Sequence, residues 1–215
     1  MMVGLLLARA GVSTLVLEKH GDFLRDFRGD TVHPSTMEIL DQLGMLDRFL
    51  ERPHSRLTRA NLTIAGQNLT FGELGHLNTP APFIAMMPQW DFLDFLKTEA
   101  AEFPEFSIEM VSEVAGLIDH GGRITGVKLA NGHEILARKL VIMADGRKSL
   151  VRGQCLLPLT VLGAPMDVFW FRLPKRDQGG EALRGVVAAG SMMVMIDRND
   201  YWQCAYIFPK GMADA

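Results

Sequence analysis

The sequence predicts an α/β protein: a layered α/β region followed by a β-rich second region. Three observations predict it. An apolar helix leads directly into a short apolar strand at the start of the chain. A second short apolar run, residues 140–143, ends in Ala144-Asp145-Gly146. Beyond residue 164, apolar runs alternate with polar or Gly-rich turns, as successive antiparallel strands do.

Bulk properties narrow the classes. The chain has 215 residues, enough for one large α/β domain or one and a half ordinary ones. Hydrophobic residues make up 48% and charged residues 22%, which is a globular balance. A net charge of -3 argues against a general nucleic-acid binder, which needs excess Lys and Arg. No apolar run has the length of a membrane span. The opening run contains Arg9 and lacks both the basic segment and the cleavage site of a signal peptide. Cys155 and Cys204 form no CxxC pair, and the six histidines show no metal-ligand spacing. These features argue against a disulfide framework or a zinc site and set the cytoplasm as the expected location.

The elements follow in order. Residues 2–10 read as a helix closed by Gly11, where a left-handed residue is expected. Residues 12–18 are a strand, apolar on both faces in its interior, as in buried parallel sheets. After a charged loop, Pro34 suits the first turn of a helix that Gly44 closes, and a short helix follows to Leu50. Residues 56–71 suggest two strands turning near Gly66, and a helix starts at Gln89 or Trp90. Residues 107–119, 123–130 and 133–137 read as three strands joined at Gly121-Gly122 and Asn131-Gly132, the latter a strong hairpin signal. Residues 140–143 read as a buried strand, and 166–173, 184–189, 191–196 and 201–208 as an antiparallel set.

Three places carry chemistry. Glu18 ends the first strand, where nucleotide-binding folds keep an acid for the ribose hydroxyls; a solvated glutamate is the equal alternative. Arg25, Arg28 and Gly29 form a loop in which an arginine fork suits a pyrophosphate, although charged loops are more often merely solvated. Asp145-Gly146-Arg147, with Ser149 and Arg152, places a carboxylate and a tight turn after a strand, with an ordinary Asp-Gly turn as the alternative. Met192, Met193 and Met195 fit a core, and Trp170, Phe171, Tyr201 and Trp202 fit either a core or an aromatic pocket. The two cysteines are expected to be buried free thiols.

Taken together, Leu5–Gly11, Val16-Leu17-Glu18-Lys19, Arg28-Gly29-Asp30, Gln89 and the Ala144–Arg152 segment resemble, in order and spacing, the FAD-dependent aromatic hydroxylases of the para-hydroxybenzoate hydroxylase type. The resemblance covers nearly the whole chain. It implies a three-layer FAD/NAD(P)-binding fold with a β-rich substrate-binding sheet: an FAD-binding domain over residues 1–160, with 57–87 adding strands to the substrate region, and part of the substrate sheet over 161–215. The implied cofactor-binding residues are Glu18 for the ribose, Lys19 and Arg28 near the adenosine and pyrophosphate, Gln89 at the ribityl or phosphate region, Val114 near the adenine, and Asp145 with Gly146 for FAD and the passing NAD(P)H. The implied reaction is NAD(P)H-dependent hydroxylation of an aromatic or related small organic substrate by molecular oxygen, with the flavin carrying the chemistry. No catalytic side chain, metal, nucleic acid or membrane is implied, and a homodimer is compatible. A related FAD-dependent reductase or halogenase is the enzymatic alternative, although the lysine and Trp-rich motif of halogenases is not found. The Gly-x-Gly-x-x-Gly turn and the later Gly-Asp motif of the family do not occur at their expected places, and Met143 stands where many members carry glycine. Weak or no FAD binding, with a truncated non-catalytic fragment that no longer binds FAD as the alternative, is the expectation that follows from those departures.

Overall fold

The computed structural model describes residues 1–24, 30–146, 149–150, 152, 160, 162–175, 183–198 and 200–213. Among them run the helices α1 (Met2–Arg9), α2 (Pro34–Gln42), α3 (Leu46–Leu50) and α4 (Gln89–Ala101). The strands are β1 (Thr14–Leu17), β2 (Thr31–Val32), β3 (Ser55–Leu57), β4 (Arg59–Ile64), β5 (Gln67–Glu73), β6 (Ile84–Met86), β7 (Phe106–Glu109), β8 (Val114–His120), β9 (Arg123–Leu129), β10 (Glu134–Leu136), β11 (Met166–Pro174), β12 (Leu183–Ala188), β13 (Ser191–Asp197) and β14 (Tyr201–Pro209). They divide into two units, each built from two stretches of chain: Met1–Phe23 with Leu93–Leu162, and Leu24–Phe92 with Gly163–Ala215.

In the first unit, α1 feeds β1 as its sequence pattern requires. Leu5 and Ala8 bury the inner face of the helix. Gly4 lets it lie close on the strands, because a Cβ there would come within 2.7 Å of Val16 Cγ2 and 3.1 Å of Phe106 Cε2. Gly11 ends the helix at φ +75°, and Val12 N–H donates back to Leu7 O at 2.9 Å. β1 pairs in parallel with β7, from Thr14↔Phe106 to Leu17↔Glu109. Leu5, Phe95, Leu96, Ala100, Phe106, Val127 and Leu129 are among the buried apolar side chains of this unit. β8, β9 and β10 form an antiparallel meander whose turns at Gly121-Gly122 and Gly132 have positive φ.

Two expectations fail here. Residues 107–119 are not one strand but two, β7 and β8, in different sheets. The break falls at Val111, whose φ of 57° is incompatible with strand, and the N–H groups of Val111 and Ser112 donate to His20 O (3.1 Å) and Glu18 O (2.9 Å). Residues 140–143 form no strand either. An apolar run becomes a strand only beside a ladder partner, and no strand pairs with it among the described residues. Leu140 is 72% exposed and Ile142 51%. Glu18 and Asp145 therefore do not end neighbouring parallel strands.

In the second unit, Pro34 opens α2 as expected, and Gly44 follows the helix at φ +70°. Met37, Leu40, Phe49 and Met87 are fully buried. Phe49 packs edge-on to Phe92 (5.8 Å) and stacks on His54, which stacks on Phe83, which Arg56 covers at 4.6 Å. The three-stranded sheet β2-β6-β3 was not legible in the sequence, because strands of two or three residues show no periodicity. The expected antiparallel set is present in a six-stranded sheet of order β11-β14-β13-β12-β4-β5. β4 joins β12 in parallel, Leu62↔Gly185 to Ile64↔Val187, and Leu62 Cδ2 fills the place a Cβ would take at Gly185. Cys204 is fully buried, with its thiol pKa pushed up by desolvation. Cys155 lies outside the described residues.

Candidate cofactor site

Glu18 stands just past the carboxyl end of β1. Its N–H donates to Glu109 O (2.9 Å), its carbonyl accepts the Ser112 N–H (2.9 Å), and its Oε1 accepts the His20 N–H (2.9 Å). The chain thus fixes both the backbone and the carboxylate of Glu18 at the edge where parallel α/β sheets receive ligands. The start of α1 lies within its field: burial lowers the pKa of the Met1 amino group, and the Glu18 charge opposes that shift. The first turn of α1 carries no acidic residue and no side-chain cap, so no side chain of the helix itself quenches its positive dipole end. Lys19 follows, exposed. Val114 opens β8 opposite Leu129 and is half-buried.

Asp145 is differently placed. Its Oδ2 accepts the Leu150 N–H at 2.8 Å, and Arg152 donates to the Gly146 carbonyl at 2.7 Å. Desolvation would raise its pKa, but hydrogen bonds from the Ser149 side chain and the Leu150 and Asp145 N–H groups, with the Arg152 charge, hold it below the ordinary aspartate value. The carboxylate works as a cap on the segment that follows, and Gly146 supplies the turn at φ +78°. Gln89 is the first residue of α4 and half-buried, in the second unit. Arg28, with Arg25 and Gly29, lies outside the described residues. Glu18, Lys19 and the turn at 110–113 therefore share one edge, while Asp145 is engaged by its own chain.

Sequence reasoning missed a buried polar cluster in the second unit. Arg198 Nη2 lies 3.0 Å from Asp30 Oδ2, and both side chains are 7% exposed. Gln203, also buried, donates to the same Asp30 oxygen through Nε2 and accepts from Arg198 Nε at 3.2 Å. Beside it, Lys175 pairs with Asp197 at 2.6 Å, and Lys175 and Arg184 both lie over the Trp202 ring. A separation of 173 residues between Asp30 and Gln203 leaves no trace in local pattern.

This architecture, a helix feeding a parallel strand that ends in an acid, together with a large mixed sheet, is that of a nucleotide-binding α/β protein. The chain belongs to the FAD binding domain family, whose profile matches residues 1–206. It is 28% identical over 174 residues to 6-methylpretetramide 4-monooxygenase of Streptomyces rimosus, covering 80% of this chain and 42% of that protein. It is 32% identical over 158 residues to rifampicin monooxygenase of Streptomyces venezuelae, covering 74% and 31%. The chain thus spans less than half the length of these relatives. Among solved structures, pqsL of Pseudomonas aeruginosa, a probable FAD-dependent monooxygenase, superposes with a TM-score of 0.80 at 19% identity, covering 99% of this chain and 58% of that one. Aklavinone-11 hydroxylase in complex with FAD and aklavinone gives 0.80 at 21% identity, covering 99% and 44%.

The donor set present fits the adenosine half of FAD: a fixed carboxylate for a ribose diol beside a helix N-terminus without acidic residues. Among the described residues, no helix is long and apolar enough to cross a membrane.

Proposed function

We propose that this chain is the cofactor-binding part of an FAD-dependent monooxygenase that uses NAD(P)H and molecular oxygen to hydroxylate an aromatic or related small organic substrate. The observation that carries this reading is Glu18, held by three hydrogen bonds at the carboxyl edge of a parallel strand beside the α1 N-terminus, in a chain of the FAD binding domain family. Glu18 accepts hydrogen bonds from the adenosine ribose, with Lys19 and Arg28 supplying positive charge near the diphosphate. The family resemblance assigns Val114 to the adenine, Gln89 to the ribityl or phosphate region, and Asp145 with Gly146 to the dinucleotide. Bound FAD supplies the redox chemistry and the activation of oxygen, while the protein binds, orients and excludes water.

The six-stranded sheet supports the substrate part of the reading. Phe169 on β11 is half exposed and packs against Phe208 at 4.7 Å, an aromatic surface of the kind an aromatic ligand stacks on. Two of the similar proteins are named as monooxygenases of 6-methylpretetramide and of rifampicin, which supports an organic substrate. The test is a titration with FAD followed by flavin fluorescence, then reduction of the bound flavin by NADH or NADPH with and without candidate phenols. Weak but saturable FAD binding and substrate-stimulated reduction are expected. No uptake of FAD by the protein would overturn the reading.

A further inference from the structure

We propose that a hollow at the Gly190 end of the six-stranded sheet binds a neutral aromatic molecule of one or two rings that carries a hydroxyl or carbonyl group. The inference goes beyond the FAD reading, because its residues all belong to the second unit while Glu18 belongs to the first. Strand register sets the floor of the hollow. Phe169 on β11 pairs with Tyr206 on β14, and Phe208 lies two residues further along β14. Side chains alternate along a strand, so Tyr206 and Phe208 stand on the face opposite Gln203 and its partner Asp30. Phe208 is the buried hub, with the Phe169 ring 4.7 Å and the Tyr206 ring 5.7 Å away between centroids.

Around these rings, Ala189, Gly190, Ser191, Pro209 and Met212 complete a hollow of about 300 Å³. Ligand sites run from about 300 to 1,000 Å³, so this one has room for one or two rings. Phe169 stays 50% exposed, so its face is presented to a ligand rather than consumed by packing. The β11–β14 ladder runs unbroken from Met166↔Pro209 to Pro174↔Tyr201, which fixes the rings before any ligand arrives. A second hollow at the same end of the sheet offers Met166, Met192 and Ile207 in place of the Phe169 and Tyr206 rings.

Charge selects the ligand. Among the described residues, no charged side chain lines the hollow. Asp167, two residues before Phe169, is engaged by the Gly211 N–H at 2.9 Å and by Lys210 Nζ at 3.3 Å. A ligand carboxylate would lose water here and meet no free cation in return. Polar capacity rests on the Tyr206 and Ser191 hydroxyls, neither of which is hydrogen-bonded to a described residue. A hydroxyl both donates and accepts, so the pair suits a phenol or a carbonyl.

The test is isothermal titration of the protein with 2-naphthol and with 2-naphthoate, the same ring system bearing an anionic group. Saturable binding of 2-naphthol is expected, with 2-naphthoate about tenfold weaker or worse. Phe169→Ala should weaken 2-naphthol about fivefold through loss of the stacking face. Tyr206→Phe keeps the ring and removes the hydroxyl, and should cost about threefold. Met166→Ala, in the other hollow, should leave the affinity unchanged. Absent 2-naphthol binding, equal affinity for the two probes, or an equal loss in Met166→Ala and Phe169→Ala would overturn the inference. A dimer in sedimentation that Phe169→Ala dissolves would assign the hollow to a second copy and overturn it as well. FAD uptake without 2-naphthol binding sinks this inference alone, and 2-naphthol binding without FAD uptake sinks the cofactor reading alone.

Discussion

Removing the Asp30 carboxylate is the sharpest test of how the second unit holds together. Asp30→Ala leaves the Arg198 guanidinium 7% exposed with its charge uncompensated, and leaves Gln203 Nε2 without its acceptor. Breaking a buried ion pair from one side costs about 3–5 kcal/mol, because the remaining charge stays desolvated. The exposed pair Arg59–Glu73, with side chains 56% and 50% exposed, gives the contrast: Glu73→Ala is expected to cost less than about 1 kcal/mol. Urea unfolding followed by tryptophan fluorescence reads the difference, since Trp202 neighbours Gln203 on β14. With a slope of about 2–3 kcal/mol/M, the Asp30→Ala midpoint should fall by about 1–2 M. Asp30→Asn keeps a hydrogen-bond acceptor for Gln203 and should fall between the two. The decisive variant removes both charges: Asp30→Leu with Arg198→Met should recover most of the loss. A loss below about 1 kcal/mol for Asp30→Ala, or no recovery in the double variant, would refute the reasoning that an uncompensated charge sets the cost.

Other outcomes follow from the same structure. Glu18→Ala should weaken FAD binding by about ten- to a hundredfold, through loss of charge-assisted hydrogen bonds of about 1.5–3 kcal/mol, with FMN binding unaffected in parallel fluorescence titrations. Phe49→Ala, at a fully buried aromatic in contact with Phe92 and His54, should cost about 3–5 kcal/mol by chemical denaturation. Asp145 has a folded pKa below its ordinary value, so its contribution is present above the unfolded pKa and is lost as pH falls through the folded one. Asp145→Ala should therefore cost less than about 1 kcal/mol at neutral pH, because the carboxylate is exposed and screened by solvent, and little at pH ~2, measured by melting at both. Gly126→Ala should detach β10, since its Cβ would overlap the Ile135 carbonyl, and faster amide exchange across β10 would report it.

Local chemistry made most elements legible. Gly11, Gly44, Gly66 and Gly132 all take the positive φ their turns require, and Pro34 starts α2. The β11–β14 set was readable because its strands are long enough to alternate. The break at Val111 was not readable, because valine is a strand former and only the carbonyls of Glu18 and His20 pull it out of line. Residues 140–143 read as a strand for the converse reason: composition signals the capacity to pair, and pairing is a property of neighbours. At the site, Glu18 was legible from its place after β1. The capping of Leu150 by Asp145 and the Asp30–Arg198–Gln203 cluster depend on contacts that no local spacing encodes.

The parallel joint between β4 and β12 bears on how the protein is made. The β4–β5 hairpin leaves the ribosome early, yet one edge of it stays open until β12 emerges about 120 residues later. At about 5–20 residues per second the wait is roughly 6–24 s, while hairpins themselves form in about 1–10 μs. For that interval Leu62 and Ile64 sit on a strand with one open edge, a template for any other chain that passes. The first unit waits too, because its opening stretch ends at Phe23 and its second begins only at Leu93. Early chaperone dependence, and misassembly during fast overexpression that slower synthesis relieves, are the outcomes expected from this order of strands.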